Sequence, residues 1–191
     1  MTQPPSAGRY FILGFVIICA IILADQYTKW LVTEAMLRPD GPIGGDFMNW
    51  VTTRKRIELF SNERENFKTI VLTPFLNLVM VWNHGISFGI MNTGSPNMAL
   101  TFVAISLMIS ILMILWLALT DRKAVAFPLS LIVGGALANA IDRVRFGAVV
   151  DFIDVHSGTH HWPAFNAADS FIVIGAAVLM CTTLFGEKEK I

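Results

Sequence analysis

Charge is what this chain has least of. Asp, Glu, Lys and Arg make up 15% of its 191 residues, against roughly 25% in an average soluble domain. The 14 basic and 14 acidic residues cancel, which excludes the basic footprint of a nucleic-acid partner. Cysteine is nearly absent. Cys19 and Cys181 fall in separate apolar runs, so no disulfide framework is available and both read as small buried hydrophobes. No S-x-x-K motif, phosphate-binding glycine loop or H-E-x-x-H helix occurs. Ser87, Ser157 and Ser170 have no base arranged beside them in the sequence, which disfavours serine chemistry. No internal repeat is visible, which argues against an inverted-repeat transporter.

Long apolar runs are what the chain does have, with 54% hydrophobic residues. A bilayer core needs about 20 apolar residues in a helix. Four segments approach this, at about 10–32, 98–119, 124–142 and 169–186. Ser95 and Pro96 suit the start of the second as N-cap and first-turn residue. Gly134, Gly135, Ala136 and Ala138 in the third permit close helix approach. The first ends without a small-x-small cleavage pattern and reads as an uncleaved signal-anchor.

The expected fold class is therefore an all-α membrane protein with four transmembrane helices, forming a single domain over residues 1–191. Segments 33–97 and 143–168 share one face and build a small β-rich subdomain there. Leu76 to Trp82 is too short to span and β-friendly, so a strand is expected. Pro39-Asp40-Gly41-Pro42 and Gly44-Gly45 are turn signals, and TTRKRIE and NEREN are solvated charge runs. An even number of spans puts both termini on one side. Arg9, Arg122, Lys123, Lys188 and Lys190 lie on that side, which favours a cytoplasmic assignment for it.

The polar residues concentrate where the spans meet the other face. Asp25 and Lys29 are four apart on one helical face. They read either as an interfacial ion pair that snorkels outward or as a pair fixing the helix end against a site. Asn83-His84-Gly85 comes after the strand, as an ordinary turn or as a loop holding a peptide. Asn139, Asp142 and Arg143 share a helical face as a polar network that orients other groups. Asp151 stands alone in an apolar run, where desolvation raises a carboxyl pKa. Asp154, in a more polar context, reads as ordinary.

Asn166-Ala-Ala-Asp169 opens the fourth span and is nearly a capping box. The helix end favours the ionised form of Asp169. Two acids in environments that push their protonation apart suggest an acid and base pair. His156, His160 and His161, with Asp151 or Asp154, leave a metal site as the alternative. A proton-coupled transporter would want acids at mid-span, whereas these lie at span ends. A purely structural assembly protein is the third reading. Cleavage of a peptide substrate, with the acids intact and without them, discriminates among the three.

Taken together, DQYTK, NHGISFG, GGALANAIDRVRFGAVVDFIDVH and FNAADS, in this order around four spans, resemble the bacterial lipoprotein signal peptidases, the type II signal peptidases. The resemblance covers residues 10–32 and 76–186, while 38–75 looks longer than the family's usual segment. It implies four transmembrane helices with a small extracytoplasmic β-cradle. It also implies a metal-free, cofactor-free aspartyl endopeptidase of the inner membrane. The implied reaction removes the signal peptide just before a diacylglyceryl-modified cysteine, from a substrate held at the membrane lipid, and globomycin is the implied inhibitor. By residue match, Asp151 and Asp169 correspond to the catalytic pair. Asn83, Gly85, Asn139, Arg143 and Asn166 correspond to residues around it, and Asp25, Lys29 and Asp142 to supporting residues.

Overall fold

The computed structural model describes residues 8–38, 46–52, 67–85 and 96–185. The turn signals at 39–45, most of the two charge runs, Ser87, Ser95, Lys188 and Lys190 lie outside the described residues. Among the described residues, four helices are long and apolar enough to cross a membrane. They are α1 (Phe11–Trp30), α3 (Pro96–Leu119), α4 (Lys123–Phe146) and α5 (Ala167–Phe185). The first continues past residue 32 as a wider π-type turn over Leu31–Leu37. A short helix α2 covers Phe47–Thr52. Strands β1 (Ile70–Thr73), β2 (Leu76–Asn83), β3 (Val149–Ser157) and β4 (His160–His161) form one antiparallel sheet in chain order. The expected strand at Leu76 to Trp82 is β2.

Helix α4 is the hub. Leu129, Val133 and Ala138 are fully buried, because α1, α3 and α5 each pack on it. The other three spans expose Ile12, Leu23, Leu112 and Val173 along their outer faces, as lipid-facing helices do, since bilayer tails solvate apolar side chains. Cys181 is on such an exposed face of α5, not buried as its apolar run suggested, and both cysteines are free.

The small residues of α4 set how near the partners come. A Cβ on Gly135 would stand 2.5 Å from the Ala168 carbonyl oxygen and 2.8 Å from Ile172. The first of these is α5 backbone, which cannot swing aside. Gly135→Ala is therefore expected to push α4 and α5 apart and cost about 1–3 kcal/mol, readable as a lower melting temperature in detergent. Asn139 lies one turn further along the same face, so activity is expected to fall with it.

The C-terminus of α4 joins the membrane helices to the sheet. The helix runs one turn past residue 142, to Phe146, and Gly147 stops it at φ 78°, donating its N–H to the Arg143 carbonyl. Glycine adopts this left-handed conformation without a Cβ penalty. The chain then turns directly into β3, so Asp142 at the helix end accepts from the Val150 N–H at the strand start, 3.2 Å.

Candidate functional site

Strand register brings the first acid to the helices. Val81 of β2 faces Asp151 of β3, and a bulge lies between Leu78 and Val81. Bulges re-aim side chains, and diagonal residues on one face reach each other. Asn83 accordingly donates its amide to Asp151 Oδ2 at 3.0 Å. Its own Oδ1 accepts the Gly85 N–H at 3.1 Å, which ties the adjoining loop to the same acid.

The second acid arrives by a hairpin. After β3 the chain turns at Gly158, φ 59°, and His160–His161 pair back on His156–Ser157. Phe165 then bridges Ile153, with N···O distances of 2.8 and 3.1 Å. Asn166 is thereby delivered beside Asp151, although the two acids are eighteen residues apart in sequence.

Asn166 caps α5 by a reciprocal capping box. Its Oδ1 accepts the Asp169 N–H at 2.9 Å, and its own N–H donates to Asp169 Oδ2 at 3.2 Å. The same residue sends its side-chain amide to Asp151 Oδ1 at 2.7 Å. One asparagine therefore holds both carboxylates, one through its side chain and one through its backbone. Asn139 of α4 completes the link by donating to Asp169 Oδ1 at 2.8 Å and accepting from Asn166 at 3.1 Å.

Behind these lies a cation. Lys29 is fully buried between Asp25 and Asp142, 2.7 Å from each, and also donates to Asn139 Oδ1 at 3.1 Å. The Asp25–Lys29 pair does not snorkel, because α4 and α5 cover it. Asp25 uses its other oxygen on the Ala168 N–H at 2.9 Å, capping α5 from another helix. Arg143 takes a different direction, donating to the Gly85 carbonyl at 3.2 Å with its guanidinium 5.2 Å from the Phe102 ring. Its Nε has no partner among the described residues.

Burial and the nearby Asp169 charge push the Asp151 carboxyl up to about 7, against smaller opposing effects from Asn83, Lys29 and Asn166. Asp151 is 1% exposed, and a carboxylate there loses water that two amides replace only in part. Asp154 is not the ordinary acid its context suggested. Three residues along a strand put it on the opposite face. There Asn77 donates to it at 2.9 Å and His161 Nδ1 lies 2.8 and 3.0 Å from its oxygens. Its partial burial works the other way, yet those partners hold it below the usual carboxylate range. His156 stacks on His161, ring centroids 4.8 Å apart. Among the described residues no group of His, Cys, Asp and Glu is placed to hold a metal.

All ten residues singled out by sequence therefore converge: Asp25, Lys29, Asn83, Gly85, Asn139, Asp142, Arg143, Asp151, Asn166 and Asp169. Gln26 escaped the sequence reading. It donates to Asp142 Oδ1 at 2.8 Å and accepts from Arg145 at 2.7 Å. Its signal was available: it is an amide at the end of an apolar run, next to Asp25 and three residues from Lys29 on one face. A groove of about 540 Å³ opens beside Asp169, lined by Trp162, Pro163, Phe165, Ile172 and Val173. The arrangement offers two neighbouring carboxyls, Asp151 on β3 and Asp169 at the start of α5, the second of them lining an apolar groove.

Residues 17–185 match the family model described as signal peptidase (SPase) II. The lipoprotein signal peptidase of Acinetobacter baumannii (strain SDF) is 34% identical over 175 residues, 91% of this chain and 83% of that one. That of Francisella tularensis subsp. novicida is 30% identical over 185 residues, 95% of each. A solved structure described as a bacterial membrane enzyme superposes with a TM-score of 0.66 at 26% identity, covering 94% of this chain and 93% of that one.

Proposed function

Because the chain belongs to the signal peptidase II family, we propose that Asp151 and Asp169 are its catalytic pair. The chain is a multi-pass membrane hydrolase that removes signal peptides from prolipoproteins. The observation that supports the catalytic assignment is the single Asn166 bonded to both carboxylates. Two carboxyls held this close share a proton more readily than both ionise, because the Asp169 charge disfavours a second one on Asp151.

The division of labour comes from the environments. Asp151, buried and pushed up to about 7, holds the shared proton. Asp169, beside it, accepts from Asn139 and from the Asn166 N–H at the start of α5. Asp169 takes a proton from water as that water attacks the scissile carbonyl. Asp151 donates to the carbonyl oxygen, and the tetrahedral diol collapses with proton return to the leaving amine. The unpartnered Nε of Arg143 supplies a donor toward the developing charge. Asn83, Gly85, Asn139 and Asn166 position the pair, and Asp25, Lys29 and Asp142 support it from behind.

Cleavage falls just before the diacylglyceryl cysteine, whose lipid chains stay in the bilayer beside the groove at Asp169. The basic residues on the side of the termini, Arg9 and, in the turn between the second and third spans, Arg122 and Lys123, support an inner-membrane topology with cytoplasmic termini and the site on the outer face. Globomycin is expected to compete for the same groove. The reaction needs no metal. EDTA is expected to leave cleavage unchanged, and a loss restored by Zn²⁺ would move the chemistry to the histidines.

A diacylglyceryl-modified prolipoprotein in detergent tests the reading through its pH profile. Asp151 is protonated below about 7 and ionised above it, so the acid is lost on the alkaline side. kcat/KM is expected to fall as pH rises through that region. Asn83 donates to the ionised form and so holds that carboxyl down. Asn83→Ala is therefore expected to move the alkaline limb to higher pH. A limb that stayed in place or moved to lower pH would separate it from Asp151.

A further inference from the structure

Arg145 is a charged residue that is only 6% exposed, held by two rings and two hydrogen bonds. Its guanidinium lies 4.2 Å from the Trp50 ring centroid and 4.4 Å from that of Phe146. Nη1 donates to Gln26 Oε1 at 2.7 Å, and Nη2 donates to the Trp50 carbonyl. A planar fork packed against two adjoining rings, with donors used in two directions, has little freedom to turn. Trp50 is the buried residue of α2, so this guanidinium helps fasten α2 to the membrane helices, beside the packing of Phe47 on Tyr27 and Trp30.

The same guanidinium fixes an amide. Gln26 accepts from Arg145 at its oxygen and donates to Asp142 at its nitrogen. A flipped amide would set its NH₂ against the guanidinium and its oxygen against the carboxylate, losing both bonds. Asp142 then meets Lys29, Lys29 meets Asn139, and Asn139 meets Asp169. A continuous polar chain runs from α2 through α4 and α1 to the acids, and every contact in it is buried or half-buried.

We propose that Arg145 is a positioning residue. It sets the Gln26 amide and, through Asp142 and Lys29, the orientation of Asn139 against Asp169. This role rests on the peptidase reading. It differs from that of a simple pin, because a pin would hold α2 without touching the reaction.

The test compares Arg145→Met, Gln26→Leu and the double variant in the full chain, purified in detergent, with the diacylglyceryl-modified prolipoprotein. Gln26→Leu leaves Arg145 and Trp50 in place and cuts only the polar chain. Each single variant is expected to lose kcat by roughly 10–100-fold, the scale of a small misplacement at a reacting centre. KM is expected to stay within about twofold, and the double variant to be no worse than the worse single. Gln26→Leu with wild-type kcat, additive losses, or a change confined to KM would each overturn the proposal. Hydrogen exchange over residues 47–52 is read on the same proteins and needs no cleavage. It is expected to quicken in Arg145→Met and to hold in Gln26→Leu, and an unchanged rate in Arg145→Met overturns the fastening. Wild-type protein that cleaves nothing overturns the peptidase reading instead, and the exchange result still judges Arg145.

Discussion

Lys29→Met is expected to lower stability by about 3–5 kcal/mol, the usual result of removing one partner from a buried ion pair. Here the effect falls on two carboxylates at once. Asp25 and Asp142 are both fully buried, and each sits 2.7 Å from the ammonium. Without the cation they face each other across a site closed to water. Their remaining partners are the Ala168 and Val150 N–H groups and the Gln26 amide, which solvate a charge but do not cancel it. Thermal unfolding in detergent checks the stability. A second variant identifies the cause: Asp142→Asn placed on Lys29→Met removes one stranded charge and is expected to recover part of the loss. No recovery would mean that Lys29 acts by packing. Cleavage is expected to fall with stability, because Lys29 also bonds Asn139, which holds Asp169.

The sequence carried different parts of this site with different clarity. Asp151 was legible because an acid in an apolar run needs a reason. The capping box at Asn166 and Asp169 was legible because its spacing is local and its chemistry is fixed by helix geometry. The Asp25–Lys29 pair was visible from helical spacing, but its depth was not. Burial there comes from α4 and α5 closing over it, and close approach at Gly135 is a tertiary fact. The third span was read to about residue 142, where hydropathy falls, and the helix itself runs on to Phe146. Asp154 was misjudged because its partners, Asn77 and His161, come from another strand and a hairpin return. Arg145 was invisible for a similar reason: a basic residue near a span end normally reaches for water, and only the placement of Trp50 makes it a buried fastening. Local chemistry was readable, and what depended on which surfaces met was not.

The second large effect falls on the acids themselves. Asp151→Asn and Asp169→Asn keep the size of each side chain and one acceptor oxygen, so the sheet and the α5 cap persist and the protein still inserts. What is lost in each is a carboxyl, the group to which the proposed reaction assigns a proton transfer. General acid or base assistance is worth about 10²–10⁴-fold, so kcat is expected to fall by that factor in either single variant. The double variant is expected to be little worse than either single, since groups that act as a unit are not additive. The shared asparagine sharpens the comparison. Asn166→Ala leaves both acids chemically competent but removes the amide from Asp151 and the cap from Asp169. Activity between that of wild type and the Asp variants is therefore expected from it.

The most direct measurement is single-turnover cleavage of a diacylglyceryl-modified prolipoprotein by the two Asp→Asn variants. Both are assayed as inserted proteins with melting temperatures near that of wild type. The paired-acid account predicts product from wild type and a loss of about 10²–10⁴-fold in each variant alike. Substantial cleavage by either one, with the fold intact, would contradict it.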